Sequence, residues 1–343
     1  MSKKMISDYK VFLQYLMETS SKNIILVPHE LTDIDSFAAA WGLKELLLRL
    51  GLRSVVYLPK VSGELKYVIK SLDFPDFSDD LKKINEILEK ALPYTTILVD
   101  FSSPERITDE KLKDIVLASE HIIALDHHIA TSPPFVSVVL IKKYTSASEI
   151  VLDMIIEMNH IEILETNYKL ATALIGGILY DTAFLSHATK KTFELLSILV
   201  EKGDYRKILH CLKHIPRDIS ERIARLKGAQ RAQVLRLNDY LIVITHVGSY
   251  ESSVASALIG LGADVALSIS KKKNGFRVSG RSRGMINLGE IFQQIAEKYK
   301  GTGGGHPGAA AITLFVKDDE INLVLNDIVR LILEKLKNEE KLV

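Results

Sequence analysis

The sequence predicts an α/β protein with a parallel sheet flanked by helices on both faces, then a helical linker, then a smaller α/β domain. Three observations support this prediction. Short apolar runs alternate with longer helical patterns through the first half of the chain, which is typical of βαβ units. From Ser146 to about Lys227 the pattern is helical throughout. Strand-like segments punctuated by glycine return after Gln230.

The predicted strands of the first half are short apolar runs, and the segments between them have apolar residues at helical spacing. The helix after the first strand is expected to stop at Gly51, because glycine often ends helices. The N-terminal segment has charges between apolar residues at helical spacing, so it is predicted to be a helix rather than a signal peptide. The predicted strands begin at Asn23, Ser54, Thr95, His121 and Phe135.

A change of composition near residue 230 places the domain boundaries. We predict an N-terminal domain over 1–203, a helical linker over 204–229 and a C-terminal domain over 230–343. Residues 230–310 hold ten Lys/Arg and five Asp/Glu, a net charge of +5, whereas the whole chain carries +1, which leaves −4 for the rest. An acidic part and a basic part suit metal cations in one and an anionic substrate in the other.

The overall composition excludes several classes of protein. A net charge of +1 gives no sign of a long nucleic-acid footprint or of a membrane-binding surface. No apolar run reaches the roughly 18 residues that a membrane span needs. The single cysteine, Cys211, excludes an internal disulfide framework and a cysteine-rich zinc site. No export signal is visible, so we expect a cytoplasmic protein.

Acidic and imidazole side chains follow several predicted strands, at the points where those strands end. Ligands of open α/β sheets bind outside the carboxyl ends of the strands, so we expect these side chains to share one crevice. Asp181 lies instead in a predicted helix, GGILYDTAFL, where a carboxylate is costly unless it is paired or liganded. The candidates are His29, Asp33, Asp35, Asp100, Asp126, His127, His128 and Asp181.

The residue types at this edge predict a metal centre. Carboxylates and imidazoles without thiolates favour Mn²⁺ or Mg²⁺, with Zn²⁺, Co²⁺ or Fe²⁺ as alternatives. Even four of these aspartates and two of these histidines exceed the needs of one ion and suit two ions that share a bridging carboxylate. Two metals about 3.5–4 Å apart activate a water and stabilise the departing oxygen of a phosphoester.

Three of these residues also have a structural alternative. Asp33 is placed to cap a helix, Asp100 to begin a turn, and His29 to be a structural histidine. The triplet 126–128 is harder to explain in this way, because neighbouring side chains of a strand point to opposite faces and cannot share one core.

The C-terminal part contains two motifs that suit an anion. In KGTGGGHPGAAA, the glycines at 303–305 would let backbone N–H groups approach an anion, and His306 would project from that loop. Arg281 and Arg283 share one face if the chain is extended, and arginine suits phosphate oxygens. Arg106, just beyond Asp100, is placed to meet a phosphate. The alternatives are a plain turn for the glycines and a solvated strand edge for the two paired arginines.

In chain order, HELTDID, LVDFSS, LDHH and GGILYDTAF resemble the four motifs of the DHH phosphoesterase superfamily. SGRSRG and TGGGHPGAAA resemble its C-terminal DHH-associated domain, and the motifs together run from His29 to Ala311. The resemblance implies two domains flanking a cleft, with two Mn²⁺ ions in the first domain and Mg²⁺ or Co²⁺ as alternatives.

The resemblance also implies a role for each site residue. One metal would be held by His29, Asp33 and Asp100. The other would be held by Asp35, Asp100, His127 and Asp181, with Asp100 bridging the two. His128 would contact the substrate phosphate or assist the leaving group, and Asp126 would orient it. The residues implied to bind the rest of the substrate are Ser279, Arg281, Gly304, Gly305 and His306, to which we add Arg283 and Arg106.

The sequence departs from the family pattern at a few positions. Leu31-Thr32 stands where members often have Asn-Pro or Pro, and Ala311 stands where a glycine commonly ends the glycine–histidine motif. Neither change removes a metal ligand. Phe101 stands where family II inorganic pyrophosphatases carry a histidine, and the chain has no room for the extra domains of RecJ-type exonucleases. The resemblance therefore favours the nucleases of short oligonucleotides (nanoRNases).

The expected function is a Mn²⁺-dependent phosphodiesterase that releases mononucleotides from short single-stranded RNA or DNA. The enzymatic alternatives are a phosphatase for 3′,5′-bisphosphorylated nucleosides and a phosphodiesterase for cyclic dinucleotides. The non-enzymatic alternative is a replication or repair scaffold, which the complete set of ligands argues against. A homodimer and a helicase or repair partner are kept as alternatives for its assembly, and no membrane partner is expected.

Overall fold

A six-stranded parallel sheet forms the centre of the N-terminal unit. The computed structural model describes residues 4–19, 23–103, 107–128, 135–284 and 286–339. The described strands of this unit are β1 (Lys4–Ile6), β2 (Asn23–Pro28), β3 (Leu31–Thr32), β4 (Ser54–Val56), β5 (Lys60–Val61), β6 (Tyr94–Val99), β7 (His121–Asp126) and β8 (Val138–Ile141). The order in the main sheet is β1-β8-β7-β6-β2-β4, and β3 pairs with β5 separately.

Helices cover both faces of this sheet, as the sequence predicts. Alternate residues of a strand point to opposite faces. Ile24 and Leu26 of β2 therefore lie in a different apolar cluster from Ile25 and Val27. The helices of the unit are α1 (Tyr9–Thr19), α2 (Ile34–Arg49), α3 (Gly63–Leu72), α4 (Ser78–Glu89), α5 (Glu110–Leu117), α6 (Ala147–Glu157), α7 (Glu162–Thr166), α8 (Tyr168–Asp181), α9 (Lys190–Val200) and α10 (Tyr205–Lys213). Residues of α1, α2, α6 and α8 bury one face of the sheet, and residues of α4 and α5 bury the other.

The N-terminus differs from the prediction of a single helix. The helix α1 begins at Tyr9, and Lys4–Ile6 form β1, which pairs in parallel with Val138–Leu140 of β8. Without β1, the backbone groups of β8 would be unpaired on that side, and such edges are costly to leave open. The pairing therefore outweighs the helical pattern at these residues.

The C-terminal unit is built on a second, mixed six-stranded sheet. Its strands are β9 (Gln233–Leu237), β10 (Tyr240–His246), β11 (Val265–Lys272), β12 (Gly275–Ser282), β13 (Thr302–His306) and β14 (Ala309–Leu314), in the order β13-β14-β12-β11-β10-β9. Its helices are α11 (Ile219–Gln230), α12 (Glu251–Gly260), α13 (Leu288–Lys298) and α14 (Ile321–Glu339). Among the described strands of this second sheet, only β10 and β11 pair in parallel.

The chain passes from the first compact unit to the second between Pro216 and Arg217. The predicted linker, 204–229, thus contains α10 of the first unit and most of α11 of the second. The predicted boundaries at 203 and 230 stay a prediction. None of the helices in the described part of the chain combines the length and the apolar character that crossing a bilayer requires.

Candidate metal centre

The carboxyl ends of three neighbouring strands bring candidate residues to one edge of the N-terminal sheet. Pro28 of β2 is opposite Val99 of β6, and Val99 is opposite Leu125 of β7. The residues that follow each strand therefore lie side by side. Asp100 adopts a left-handed backbone conformation with φ of 69°. A residue other than glycine pays roughly 1–2 kcal/mol for this conformation, and such strain is often found at functional sites.

Four side chains converge at this edge. Asp35, Asp100, His127 and Asp181 each offer a ligand atom, and these atoms all lie within 4.8 Å of one another. His127 Nε2 is 3.1 Å from Asp100 Oδ1 and 3.4 Å from Asp181 Oδ2. Asp35 and Asp100 are buried, whereas His127 and Asp181 are partly exposed. We call this set the acidic cluster.

Asp35 is held in the acidic cluster by the beginning of a helix. Its Oδ2 accepts a hydrogen bond from the backbone N–H of Ala147 at 2.7 Å, and its Oδ1 accepts one from Ser148 at 2.9 Å. These are the first residues of α6, where backbone N–H groups have no partner within the helix. The positive end of the helix dipole also favours a carboxylate there. The sequence contains no local signal for this long-range contact.

Gly177 allows α8 to approach Asp35 closely. A Cβ at this position would lie 2.7 Å from Asp35 Oδ1 and would collide with Ser148 Oγ. The glycine pair before Asp181 thus has a packing role, because any larger residue would push α8 away from α2 and α6.

Replacing Gly177 with alanine is expected to destabilise the protein by about 1–3 kcal/mol, the usual cost of overpacking a core. The displaced Asp35 should also weaken metal binding. Urea unfolding and a metal titration measure the two effects. Gly63→Ala is a matched control, because a Cβ there meets nothing within 4 Å. Equal behaviour of the two variants would contradict the packing role of Gly177.

The electrostatics of the acidic cluster favour a cation. Burial, followed by the charges of Asp181, Asp100 and Asp33, holds the pKa of Asp35 well above its usual range. Burial likewise raises the pKa of Asp100 to about 6. Burial alone would lower the pKa of His127, but contact with the carboxylates of Asp100 and Asp181 raises it to about 11. These shifts mean that the carboxylates repel one another and that a positive charge between them is stabilising.

The residues of the acidic cluster fit a divalent metal. Asp100 Oδ1 and His127 Nε2 are buried atoms that lie 3.1 Å apart as an ion pair, and within the described part of the chain neither makes a well-aligned hydrogen bond. Buried polar atoms without such a bond are costly, and a bound cation would satisfy both of these atoms. Carboxylate oxygen and imidazole nitrogen together suit Mn²⁺, Mg²⁺, Co²⁺ or Zn²⁺.

His128 is oriented by its neighbour. Its Nδ1 is 2.8 Å from Asp126 Oδ1, and the same oxygen accepts a hydrogen bond from the His128 backbone N–H at 3.0 Å. Asp126 is buried and His128 is exposed. The hydrogen bond to Asp126 raises the pKa of His128. His128 also groups with Asp100 and His127 within the distance that a metal site requires.

His29 and Asp33 lie outside both of these groups among the residues that the structure describes. Asp33 caps α2, because its Oδ1 accepts hydrogen bonds from Ser36 N at 3.0 Å and Ser36 Oγ at 2.8 Å. This is the structural alternative that the sequence left open. His29 is exposed and packs edge-on against Phe101, with 6.0 Å between ring centres. Their roles as metal ligands stay a prediction.

The glycine motif of the C-terminal unit is a strand and not the predicted loop. Residues 302–306 form β13, in which Gly304 pairs with Ala311 and Gly305 with Ala310. Both glycines have positive φ, and a Cβ on Gly305 would lie within 3 Å of its neighbours on β14. The glycines therefore allow two strands to pair at this edge, and His306 is exposed at the end of β13.

The other predicted substrate residues lie on or near β12. Ser279 is buried within this strand. Arg281 donates hydrogen bonds to Ser252 Oγ at 2.6 Å and Ser256 Oγ at 3.1 Å, and Arg283 donates one to the carbonyl of Ile259 at 3.3 Å. Both arginines thus lie along α12. Arg106 is outside the described residues. The substrate-binding roles of all these residues stay predictions.

Comparison with known proteins identifies two domains in this chain. The model of the DHH family N-terminal domain matches residues 23–178, and the model of the DHHA1 domain matches residues 252–338. The uncharacterized protein MJ0988 of Methanocaldococcus jannaschii is 31% identical over 302 residues, which cover 81% of this chain and 89% of that protein.

Two further relatives extend the comparison. The cyclic-di-AMP phosphodiesterase GdpP of Bacillus subtilis is 25% identical over 318 residues, which cover 86% of this chain but only 45% of that protein. The crystal structure of an exopolyphosphatase-related protein from Bacteroides fragilis shares the fold, with a TM-score of 0.71 at 19% identity over 98% of this chain and 100% of that one. The chain therefore belongs to the DHH superfamily of phosphoesterases, with a DHH domain followed by a DHHA1 domain.

Proposed function

We propose that this protein is a Mn²⁺-dependent phosphodiesterase that removes mononucleotides from short single-stranded RNA or DNA. The observation that carries the proposal is the close pair of Asp100 and His127, whose buried Oδ1 and Nε2 atoms lie 3.1 Å apart beside two more carboxylates. The net charge of +5 on residues 230–310 supports an anionic substrate.

The residues of the acidic cluster would hold the metal, and His29 and Asp33 are proposed to complete a second ion's ligands. When bound, divalent ions supply an activated water and stabilise charge on the phosphate oxygens. His128 is proposed to contact the substrate phosphate, because Asp126 fixes its ring while its other face remains exposed. Arg281 and His306 are proposed to bind the substrate through the DHHA1 domain.

Hydrolysis of cyclic di-AMP is a second candidate function. The similarity to GdpP over 86% of this chain favours it. Both reactions cleave a phosphodiester between nucleotides, so one metal centre could serve either. They differ in whether the substrate has a free end.

A substrate panel tests the proposal. We expect purified protein with Mn²⁺ to shorten 5′-labelled RNA and DNA oligonucleotides of two to ten residues, and to do so faster than with Mg²⁺. Cyclic di-AMP and 3′-phosphoadenosine 5′-phosphate are included at the same concentration. Faster turnover of cyclic di-AMP would favour the second candidate. If no phosphoester in the panel is cleaved with either metal, the proposed function is wrong.

We further propose that the protein forms a homodimer and works beside a helicase or repair protein. Light scattering of the purified protein tests the first part. A mass of about one chain at micromolar concentration would contradict it.

A further inference from the structure

An apolar pocket of the N-terminal unit is lined by His29, one of the predicted metal ligands. It has a volume of about 220 Å³, and its other lining residues are Glu30, Leu31, Phe101, Ile107 and Thr108. Phe101 directly follows Asp100 of the acidic cluster in the chain. Pockets for drug-sized ligands have roughly 300–1,000 Å³, so this pocket suits one fragment of a substrate. We call it the Phe101 pocket.

The wall of the Phe101 pocket is held in place by hydrogen bonds. Glu30 Oε2 accepts a hydrogen bond from the Thr108 backbone N–H, and Glu30 Oε1 accepts one from Thr108 Oγ1, both at 2.6 Å. These bonds connect the segment after β2 to the segment before α5. Because they hold the wall of the pocket in place before a ligand binds, the entropy cost of binding is lower.

The charge of the Phe101 pocket selects the kind of fragment. The Glu30 carboxylate lines this pocket and is held there by the two hydrogen bonds that it accepts from Thr108. A second phosphate would be repelled there, whereas a neutral ring with N–H donors would be accepted, since each carboxylate oxygen has a further lone pair. Leu31, which is half exposed, offers apolar contact to the flat face of such a ring, and Phe101, which is only 5% exposed, contributes to the wall of the pocket.

Two residues that distinguish this chain from the family pattern line the Phe101 pocket. Leu31 belongs to the pair Leu31-Thr32, which stands where members often have Asn-Pro or Pro, and Phe101 stands in place of the histidine of family II pyrophosphatases. Leu31 is 49% exposed, although it is a large apolar side chain.

We propose that the Phe101 pocket binds a nucleobase of the substrate, and that it thereby selects nucleotides over pyrophosphate and polyphosphate. This inference rests on the proposed phosphodiesterase function. Leu31 and Phe101 act as specificity-determining residues and do not take part in bond cleavage.

A binding experiment that requires no turnover tests the proposal. The 5′-monophosphate of 2-aminopurine riboside is titrated with the protein in the presence of Mg²⁺, and its fluorescence is followed. Stacking quenches this base, and contact between a base and such a surface is worth about tenfold or more in affinity. We expect quenching on binding. In competition, we expect ribose 5-phosphate, which lacks the base, to bind at least about tenfold more weakly than the 2-aminopurine nucleotide. Equal affinities of the two compounds would overturn the proposal.

Variants locate the base. Leu31→Asp is expected to weaken binding of the 2-aminopurine nucleotide about tenfold or more and to leave binding of ribose 5-phosphate unchanged. Leu48→Asp is the matched control, because Leu48 is a comparably exposed leucine (57%) on α2 outside the Phe101 pocket. The base is not in this pocket if Leu31→Asp binds the 2-aminopurine nucleotide as tightly as Leu48→Asp does. The same conclusion follows if Leu31→Asp weakens the binding of this nucleotide and of ribose 5-phosphate equally.

Cleavage data separate this inference from the proposed function. We compare an oligonucleotide with one that carries an abasic residue at the terminal position. If both are cleaved equally fast, the function stands and the pocket proposal falls. If neither is cleaved but nucleotide binding depends on Leu31, the pocket proposal stands and the proposed function falls.

Discussion

Replacing Asp100 with asparagine is expected to lower phosphodiester turnover at least about 10³-fold, the scale seen when one essential group of a catalytic site is removed. The asparagine side chain would have nearly the same shape as the aspartate, but the change would remove a negative charge from the centre of the acidic cluster. The cluster would then bind a divalent cation weakly. Turnover with Mn²⁺ over a range of concentrations, together with the melting temperature, measures both consequences.

The variant Asp153→Asn provides the matched control. Asp153 is also buried, but it accepts hydrogen bonds from Tyr9 and Tyr144 and pairs with Lys191, away from the acidic cluster. We expect this control to lose stability and to keep its turnover. Asp100→Asn should instead lose its turnover and should not lose stability in the absence of metal, since burial disfavours the charge of Asp100 in the metal-free protein. Near wild-type turnover in Asp100→Asn would mean that the acidic cluster is not the catalytic centre.

Metal affinity is expected to rise steeply with pH, by about tenfold per pH unit for each proton released. His127 must lose a proton to bind a metal through Nε2, and its pKa in the metal-free protein is about 11. At least one proton is therefore released at pH 7–9, and the raised pKa of Asp35 can add to this number. Below about pH 6, Asp100 must lose a proton as well, so the dependence becomes steeper. Calorimetric titrations in two buffers with different ionisation enthalpies count these protons.

The stability of the metal-free protein should depend on pH in a related way. The pKa of Asp100 is higher in the folded protein than in the unfolded chain, so its stabilising contribution is complete below pH 4 and is lost as the pH rises through about 6. Added metal should reverse this loss. The calorimetric titrations are repeated with the variant His127→Gln. Its control is His214→Gln, which changes an exposed histidine after α10. A proton count that is unchanged in His127→Gln would show that His127 is not a ligand.

Local patterns were sufficient to predict the strands that carry the metal centre. The strands β2, β6 and β7 are covered on both faces, and such strands are nearly continuous apolar runs in sequence. Their ends could therefore be located, and with them His29, Asp100 and Asp126. Local patterns were not sufficient at the sheet edges. The strands β1 and β13 form because β8 and β14 offer backbone partners. A local sequence pattern does not show which other segment of the chain a strand will pair with.

The fold class and the candidate metal ligands could be predicted from the sequence, because apolar periodicity and residue type are local properties, and the family could be predicted from the motifs and their order. Which of the candidates share a site depended on the tertiary structure. Asp33 and Asp35 are two residues apart, but the start of α2 makes the first a cap while the contact with α6 draws the second into the acidic cluster. Asp181 reaches the same cluster because Gly177 allows α8 to pack closely. These outcomes depend on contacts between distant segments, which form only when the chain folds.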